Sequence, residues 1–223
     1  MKILLIETSF KLIEFGYAEG VELTIDIRLK EGENADTLVY YIKKEFDEQA
    51  IDVSGIDIVS ISNGPGSFTG LRVGAAITKG ICFVNKSRLI EVPTLDIIAN
   101  KYKISNAIQN SEKIITSMVF SNLRTNEFYL ADFEITNGEL IRISDYKIET
   151  LEEMKKENRI FLVNDVYPAE LESTIEIVSI IDGSNIPSQL DIALKMIEQG
   201  KFSDYTKSEP FYMKEFIPLG KSR

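Results

Sequence analysis

Two hydrophobic rhythms run along the chain. Residues 2–6 are an unbroken apolar run, as for a strand buried on both faces, and a second short strand is expected over residues 12–18. Over residues 21–30 the alternation is complete: Val21, Leu23, Ile25, Ile27 and Leu29 on one side, Glu22, Thr24, Asp26, Arg28 and Lys30 on the other. That period of two predicts an edge strand with one wet face. Gly32 and Asn34 break it, and Leu38, Tyr41, Ile42, Glu45 and Phe46 then recur at helical spacing, predicting a helix over residues 36–48. A buried strand follows over residues 56–61, then a glycine-rich loop, a helix over 69–83, a strand over 89–92, and a third helix from Pro93-Thr94 to Lys101.

The second half repeats this order. Strands are predicted over residues 114–120, 127–135 and 139–148, the last two joined by the turn Thr136-Asn137-Gly138. Thr150, with Glu153 three positions on, predicts a capped helix over residues 150–157. A strand over 160–163, a short helix over 168–172, a strand over 175–180 and a helix over 188–199 ended by Gly200 complete the series. Each half thus reads βββαβαβα, which predicts a mixed sheet with helices on its faces. The alternative is an α+β chain whose halves match by chance. Duplication of this order is the plan of the ribonuclease-H-like, actin-like ATPases, where nucleotide lies in the cleft between two lobes. The expected fold is therefore α/β and duplicated, with an N-terminal lobe over residues 1–103 and a C-terminal lobe over 104–223. The first carries the glycine-rich loop and two partner-facing helices.

Composition narrows the chemistry. The chain has 223 residues, 44% of them apolar and 27% charged, which suits a packed core. It has no histidine, so no imidazole serves as general base or zinc ligand. A metallopeptidase reading would have to rely on carboxylates alone. The single cysteine, Cys82, sits between Ile81 and Phe83 and reads as a small core residue. The net charge of −10 argues against this chain gripping a nucleic acid by itself. No apolar run approaches the ~20 residues needed to cross a bilayer, and the first six residues are too short for a signal-peptide core, so the expected location is cytoplasmic.

Five of the 13 glycines (Gly64, Gly66, Gly70, Gly74 and Gly80) fall between a predicted strand and the end of the next helix. A strand–loop–helix join aims free N–H groups at an anion, and Ser67 or Thr69 is placed to cap the helix. Neither the P-loop lysine nor the dinucleotide spacing is present. Gly70, Gly74 and Thr78 recur every four residues, leaving one helix flank nearly bare. Interior glycines cost about 1 kcal/mol each against alanine, so a close neighbour must offset them: either the chain's own sheet or a partner. Tyr40, Tyr41 and Phe46 cannot all point inward, which favours a partner face.

The block Ser62-Asn63-Gly64-Pro65-Gly66-Ser67-Phe68-Thr69-Gly70-Leu71-Arg72-Val73-Gly74, with Lys79-Gly80 after it, closely resembles the signature of the bacterial TsaB (YeaZ) family. Glu7-Thr8-Ser9, Val92-Pro93-Thr94-Leu95 and Glu209-Pro210-Phe211-Tyr212-Met213-Lys214 support the resemblance, which is dense from about residue 56 to 99. It implies a non-catalytic partner and scaffold of a TsaD-type subunit in forming N6-threonylcarbamoyladenosine at position 37 of tRNAs reading A-starting codons. A TsaE-type ATPase joins the pair, tRNA is reached only through the complex, no membrane is involved, and the isolated chain forms a homodimer through the same face. The implied partner interface takes Leu38, Tyr41, Ile42, Gly70, Arg72, Gly74, Ile77 and Thr78. A vestigial nucleotide site would take Glu7, Thr8, Ser9, Gly64, Gly66, Ser67 and Thr69, with ATP or ADP at the partner interface as the only cofactor and no metal.

The departures bear on activity. The family's usual aspartate after the first strand is Glu7 here, its Asp-Ala-Arg turn is Asn122-Leu123-Arg124, and its helix-start histidine aligns with Asn34. Misplaced acids predict no independent ATP hydrolysis. Arg72 is expected either to pair locally or to reach a partner's acid. The competing reading is an autonomous actin-like ATPase or phosphotransferase working through residues 64–70.

Overall fold

A computed structural model describes residues 1–30, 32–33, 37–122, 127–155, 158–165, 167 and 169–213. The first sheet runs β3-β2-β1-β4-β5, built from β1 (Lys2–Glu7), β2 (Glu14–Glu19), β3 (Glu22–Arg28), β4 (Ile58–Ser62) and β5 (Arg88–Val92). β1 pairs antiparallel with β2 and parallel with β4, which pairs parallel with β5. The second sheet has the same order, β11-β10-β6-β7-β8 read in reverse, from β6 (Ile114–Asn122), β7 (Glu127–Thr136), β8 (Glu139–Arg142), β10 (Arg159–Val163) and β11 (Ile177–Ser179). Its parallel and antiparallel pairings match too. The duplicated two-lobe plan is therefore present.

The strand expected over residues 139–148 is two pieces on one edge. β8 pairs with β7 at residues 133–136, and β9 (Lys147–Thr150) pairs with β7 at residues 127–130. Between them the Ser144 hydroxyl accepts from the Asp132 amide at 2.9 Å, so a side chain replaces a ladder bond and the strand bends. The first two helical positions of the second half are reduced. α4 (Leu151–Met154) carries the expected Thr150–Glu153 capping box but lasts four residues, and a 3-10 turn at Ala169–Leu171 stands where the first half has a long helix.

α1 (Leu38–Glu48) and α2 (Phe68–Asn85) cover one face of the first sheet. Leu38, Ile42 and Phe46, at four-residue spacing, pack with Leu4, Ile6, Tyr17, Val59 and Ile61. The opposite face is covered by α5 (Ile186–Glu198), whose Ile186, Leu190 and Ala193 meet Ile3, Leu5, Ile58 and Ile90. α3 (Thr94–Ser105), though it leaves the first sheet, presents Leu95, Ile98 and Ala99 to Ile115, Ala131, Phe133 and Leu162 of the second. The halves thus exchange helices. Cys82 is buried, as its neighbours implied, and burial pushes its thiol up to about 11. No helix among the described residues is long and apolar enough to cross a membrane.

Candidate functional site

The carboxyl ends of β1 and β4 lie side by side, Ile6 opposite Ile61, at the edge where open α/β sheets form a crevice. Glu7 closes β1 and is fully buried. Its Oε1 accepts from the Ser9 amide at 2.6 Å, the Ser9 hydroxyl at 2.5 Å and the Ser62 hydroxyl at 2.7 Å. Its Oε2 has no hydrogen-bond partner. Burial pushes the carboxyl up to about 7, against the opposing pull of the Ser9 and Ser62 hydrogen bonds.

The glycine-rich loop is pressed onto the turn after Glu7. The Ser67 amide donates to the Ser9 carbonyl at 2.7 Å, and Ser67 Oγ accepts from the Gly70 amide at 3.2 Å, capping α2. A Cβ on Gly66 would overlap Ser9, one on Gly70 the Thr8 carbonyl oxygen, and one on Gly74 the Thr8 hydroxyl. Gly64, at φ +113°, accepts from the Thr94 amide at 2.9 Å and so ties the loop to α3. The sequence thus carries glycine wherever α2 meets the Thr8-Ser9 backbone.

This corrects the expected docking seam. Gly70, Gly74 and Thr78 are buried against the chain's own first strand and turn, and Leu38 and Ile42 lie in the core beneath α1. A bare helix flank needs a close neighbour, and Thr8 is that neighbour. Tyr41 and Ile77 are half-buried; the Tyr41 hydroxyl donates to Glu33 at 2.8 Å. Arg72 is exposed and, among the described residues, neither pairs with an acid nor projects freely. It lies over the Phe68 ring at 4.0 Å and donates to the Tyr212 hydroxyl at 3.2 Å. The exposed apolar side chains on these helices are Val39, Tyr40 (65% exposed), Phe68, Phe83 (63%) and Val84 (75%), of which only Tyr40 carried an expectation.

A cleft of about 440 Å³ separates the lobes, lined by Ser9, Lys11, Gly66 and Ser67 on one side and by Met118, Phe120, Asn164 and Asp165 on the other. Phosphate binding there needs unspent donors. The Ser9 amide and hydroxyl go to Glu7, the Ser67 amide goes to Ser9, and the Gly70 amide goes to Ser67. Glu7, Thr8, Ser9, Gly64, Gly66 and Ser67 are gathered as expected, with Thr69 exposed at the start of α2, but as a packed junction. The donors of Ser9, and the amides of Ser67 and Gly70, are thus engaged within the junction. Among the described residues, no three His, Cys, Asp or Glu side chains gather to hold a metal. Asn34, Asp36, Leu123, Arg124 and Lys214 lie outside the described residues, as does the Asn122 side chain.

Sequence reasoning missed the polar bridge behind the cleft. Buried Glu14 pairs with Arg28 at 2.8 Å and accepts from the Asn185 amide at 2.6 Å and its Nδ2 at 3.1 Å. Lys101 Nζ, from α3, donates to Asn164 and Asn185 at 3.1 Å each and to the Gly183 carbonyl at 2.8 Å. Burial lowers Lys101 to about 8 and raises Glu14. For Glu14 the signal was there: a charge inside the otherwise apolar run of residues 12–18.

The family model described as "TsaD: tRNA N6-adenosine threonylcarbamoyltransferase" matches residues 33–163. A curated relative, the tRNA threonylcarbamoyladenosine biosynthesis protein TsaB of Haemophilus influenzae, is 28% identical over 81 residues, a stretch covering 36% of this chain and 32% of that protein. Two solved structures share the fold. An uncharacterised protein with similarity to peptidase YeaZ from Pseudomonas aeruginosa has a TM-score of 0.77 at 16% identity, covering 96% of this chain and 99% of that one. YeaZ from Pseudomonas aeruginosa has 0.74 at 14%, covering 95% and 100%.

Proposed function

We propose, from the premise that this chain belongs to the TsaD family and resembles its TsaB (YeaZ) members, that it is a non-catalytic partner of a TsaD-type subunit in tRNA threonylcarbamoyladenosine biosynthesis. The observation that carries this reading is the outer surface of α1 and α2. Val39 and Tyr40 at the start of α1, and Phe68, Phe83 and Val84 at the two ends of α2, stay exposed on helices whose inner sides pack into the core. Exposed aromatic side chains on a rigid helical surface suit a protein interface. The face therefore lies on the outer sides of the helices, with Tyr41, Arg72 and Ile77 at its margin, and not on the glycine flank.

The chemistry supports a partner's part. The chain has no histidine, and the Ser67 and Gly70 amides of its glycine loop are engaged internally. With a net charge of −10 it would reach tRNA through the partner, and a TsaE-type ATPase would join the same assembly. In isolation the face would pair two copies.

The test is co-purification with the TsaD-type subunit. Stoichiometric 1:1 association is expected, lost in the double variant Tyr40→Glu with Phe83→Asp while that variant keeps its unfolding midpoint. Failure to associate at micromolar concentration, or undiminished association of the double variant, would reject this face. Turnover of ATP by the chain alone would favour the phosphotransferase reading instead.

A further inference from the structure

The turn after β1 has the donor arrangement of an anion seat, already filled. One amide and two hydroxyls, from Ser9 and Ser62, converge on a single oxygen, Glu7 Oε1, at 2.5–2.7 Å. Several short bonds to one oxygen are how proteins hold a carboxylate or a phosphate oxygen. Here the anion is part of the chain. The seat adjoins the cleft, because Ser9 lines that cavity together with Gly66 and Ser67. Glu7 Oε2, buried beside it without a partner, shows that the carboxylate is held by one oxygen only.

We propose that Glu7 is a built-in occupant of an oxyanion seat at the ends of β1 and β4, and that it keeps phosphate-bearing ligands out of the turn after β1. A phosphate group entering this turn would have to displace the Glu7 carboxyl from the Ser9 and Ser62 donors. A tethered group also competes at a high effective concentration, which a ligand free in solution cannot match. The donors are preserved while their availability is removed, so a single side chain decides whether this turn binds an anion. This inference concerns the chain alone and does not rest on the partner reading.

The experiment titrates inorganic pyrophosphate and, separately, Mg–ATP into the wild-type protein, Glu7→Ala and Glu7→Gln, by calorimetry and thermal shift. The wild-type protein should bind neither. Glu7→Ala, which vacates the seat, should bind pyrophosphate at least about tenfold more tightly than the wild type. A gain confined to pyrophosphate marks a seat for a free oxyanion, and a gain shared by Mg–ATP extends it to nucleotides. Glu7→Gln still fills the volume and offers an acceptor oxygen, so it should behave as the wild type. Wild-type binding equal to that of Glu7→Ala, a folded Glu7→Ala without gain, or an equal gain in Glu7→Gln would each overturn the proposal. Should Glu7→Ala not fold, Glu7→Ser carries the same comparison.

Discussion

Glu7 keeps a carboxyl group where ionisation is most costly, and the sign of its effect on stability follows. Its folded-state value, about 7, lies above the 4.5 of the unfolded chain, so the folded state holds the extra proton between those limits. Stability must therefore fall as pH rises from 4.5 to 7, by an amount on the order of 3 kcal/mol. Urea unfolding at pH 5 and pH 8 should show this loss in the wild-type protein and a flatter response in Glu7→Gln. The glycines give a second contrast. Gly70→Ala and Gly74→Ala drive a methyl group into Thr8 and should each cost about 2 kcal/mol or more, whereas Gly80, with nothing within 4 Å of an added Cβ, should gain about 0.5–1 kcal/mol as alanine. Denaturant midpoints of the three variants check both signs. At this scale the sequence made the residues conspicuous but not their relation. The glycine block and Glu7-Thr8-Ser9 stood out as separate signals, and nothing in residue spacing says that they are the two sides of one contact.

The elements themselves were the most legible part. The alternation of residues 21–30 became β3, the helical spacing from Leu38 to Phe46 became α1, and the Thr150–Glu153 pair became a capping box. Local chemistry determines such features, so local reading reaches them. Ser67→Ala should cost about 1 kcal/mol, read from thermal or urea unfolding, because it removes the side chain that caps α2. Where tertiary contacts intervene, the reading failed. The strand over residues 139–148 divides because the Ser144 hydroxyl takes a place in the ladder, and no propensity encodes that choice. The buried stripe of α2 was visible as a stripe, but a helix flank of small residues looks the same whether a sheet or a second protein covers it.

For the whole molecule, duplication was readable from the order of elements, and the exchange of α3 and α5 was not. Both helices are amphipathic, and amphipathicity does not say which sheet a helix will cover. The lobes are joined by that exchange and by the polar bridge, with Asn185 at its centre: it serves Glu14 through its amide and Nδ2, and Lys101 and Asn164 through Oδ1. Asn185→Ala removes the Nδ2 bond to Glu14 and the Oδ1 acceptor of Lys101 and Asn164, while Glu14 keeps Arg28 and the backbone amide and Lys101 keeps Asn164 and Gly183. It should cost about 1–3 kcal/mol, measured by urea unfolding followed separately by fluorescence and circular dichroism.

The exchanged helices set what a break in the covalent chain would do. Between the end of α3 and the start of β6 the backbone crosses a largely polar stretch, residues 106–113, and a protease nick between exposed Gln109 and Asn110 cuts between Ile108, which packs on the second core, and Ser111, which bonds to Ile135. The fragment ahead of the nick would leave Leu95 and Ile98 without their sheet, and the fragment behind it would leave Ile186 and Leu190 without theirs. The two pieces should therefore co-migrate under native conditions, unfold when parted, and regain structure only by complementing each other.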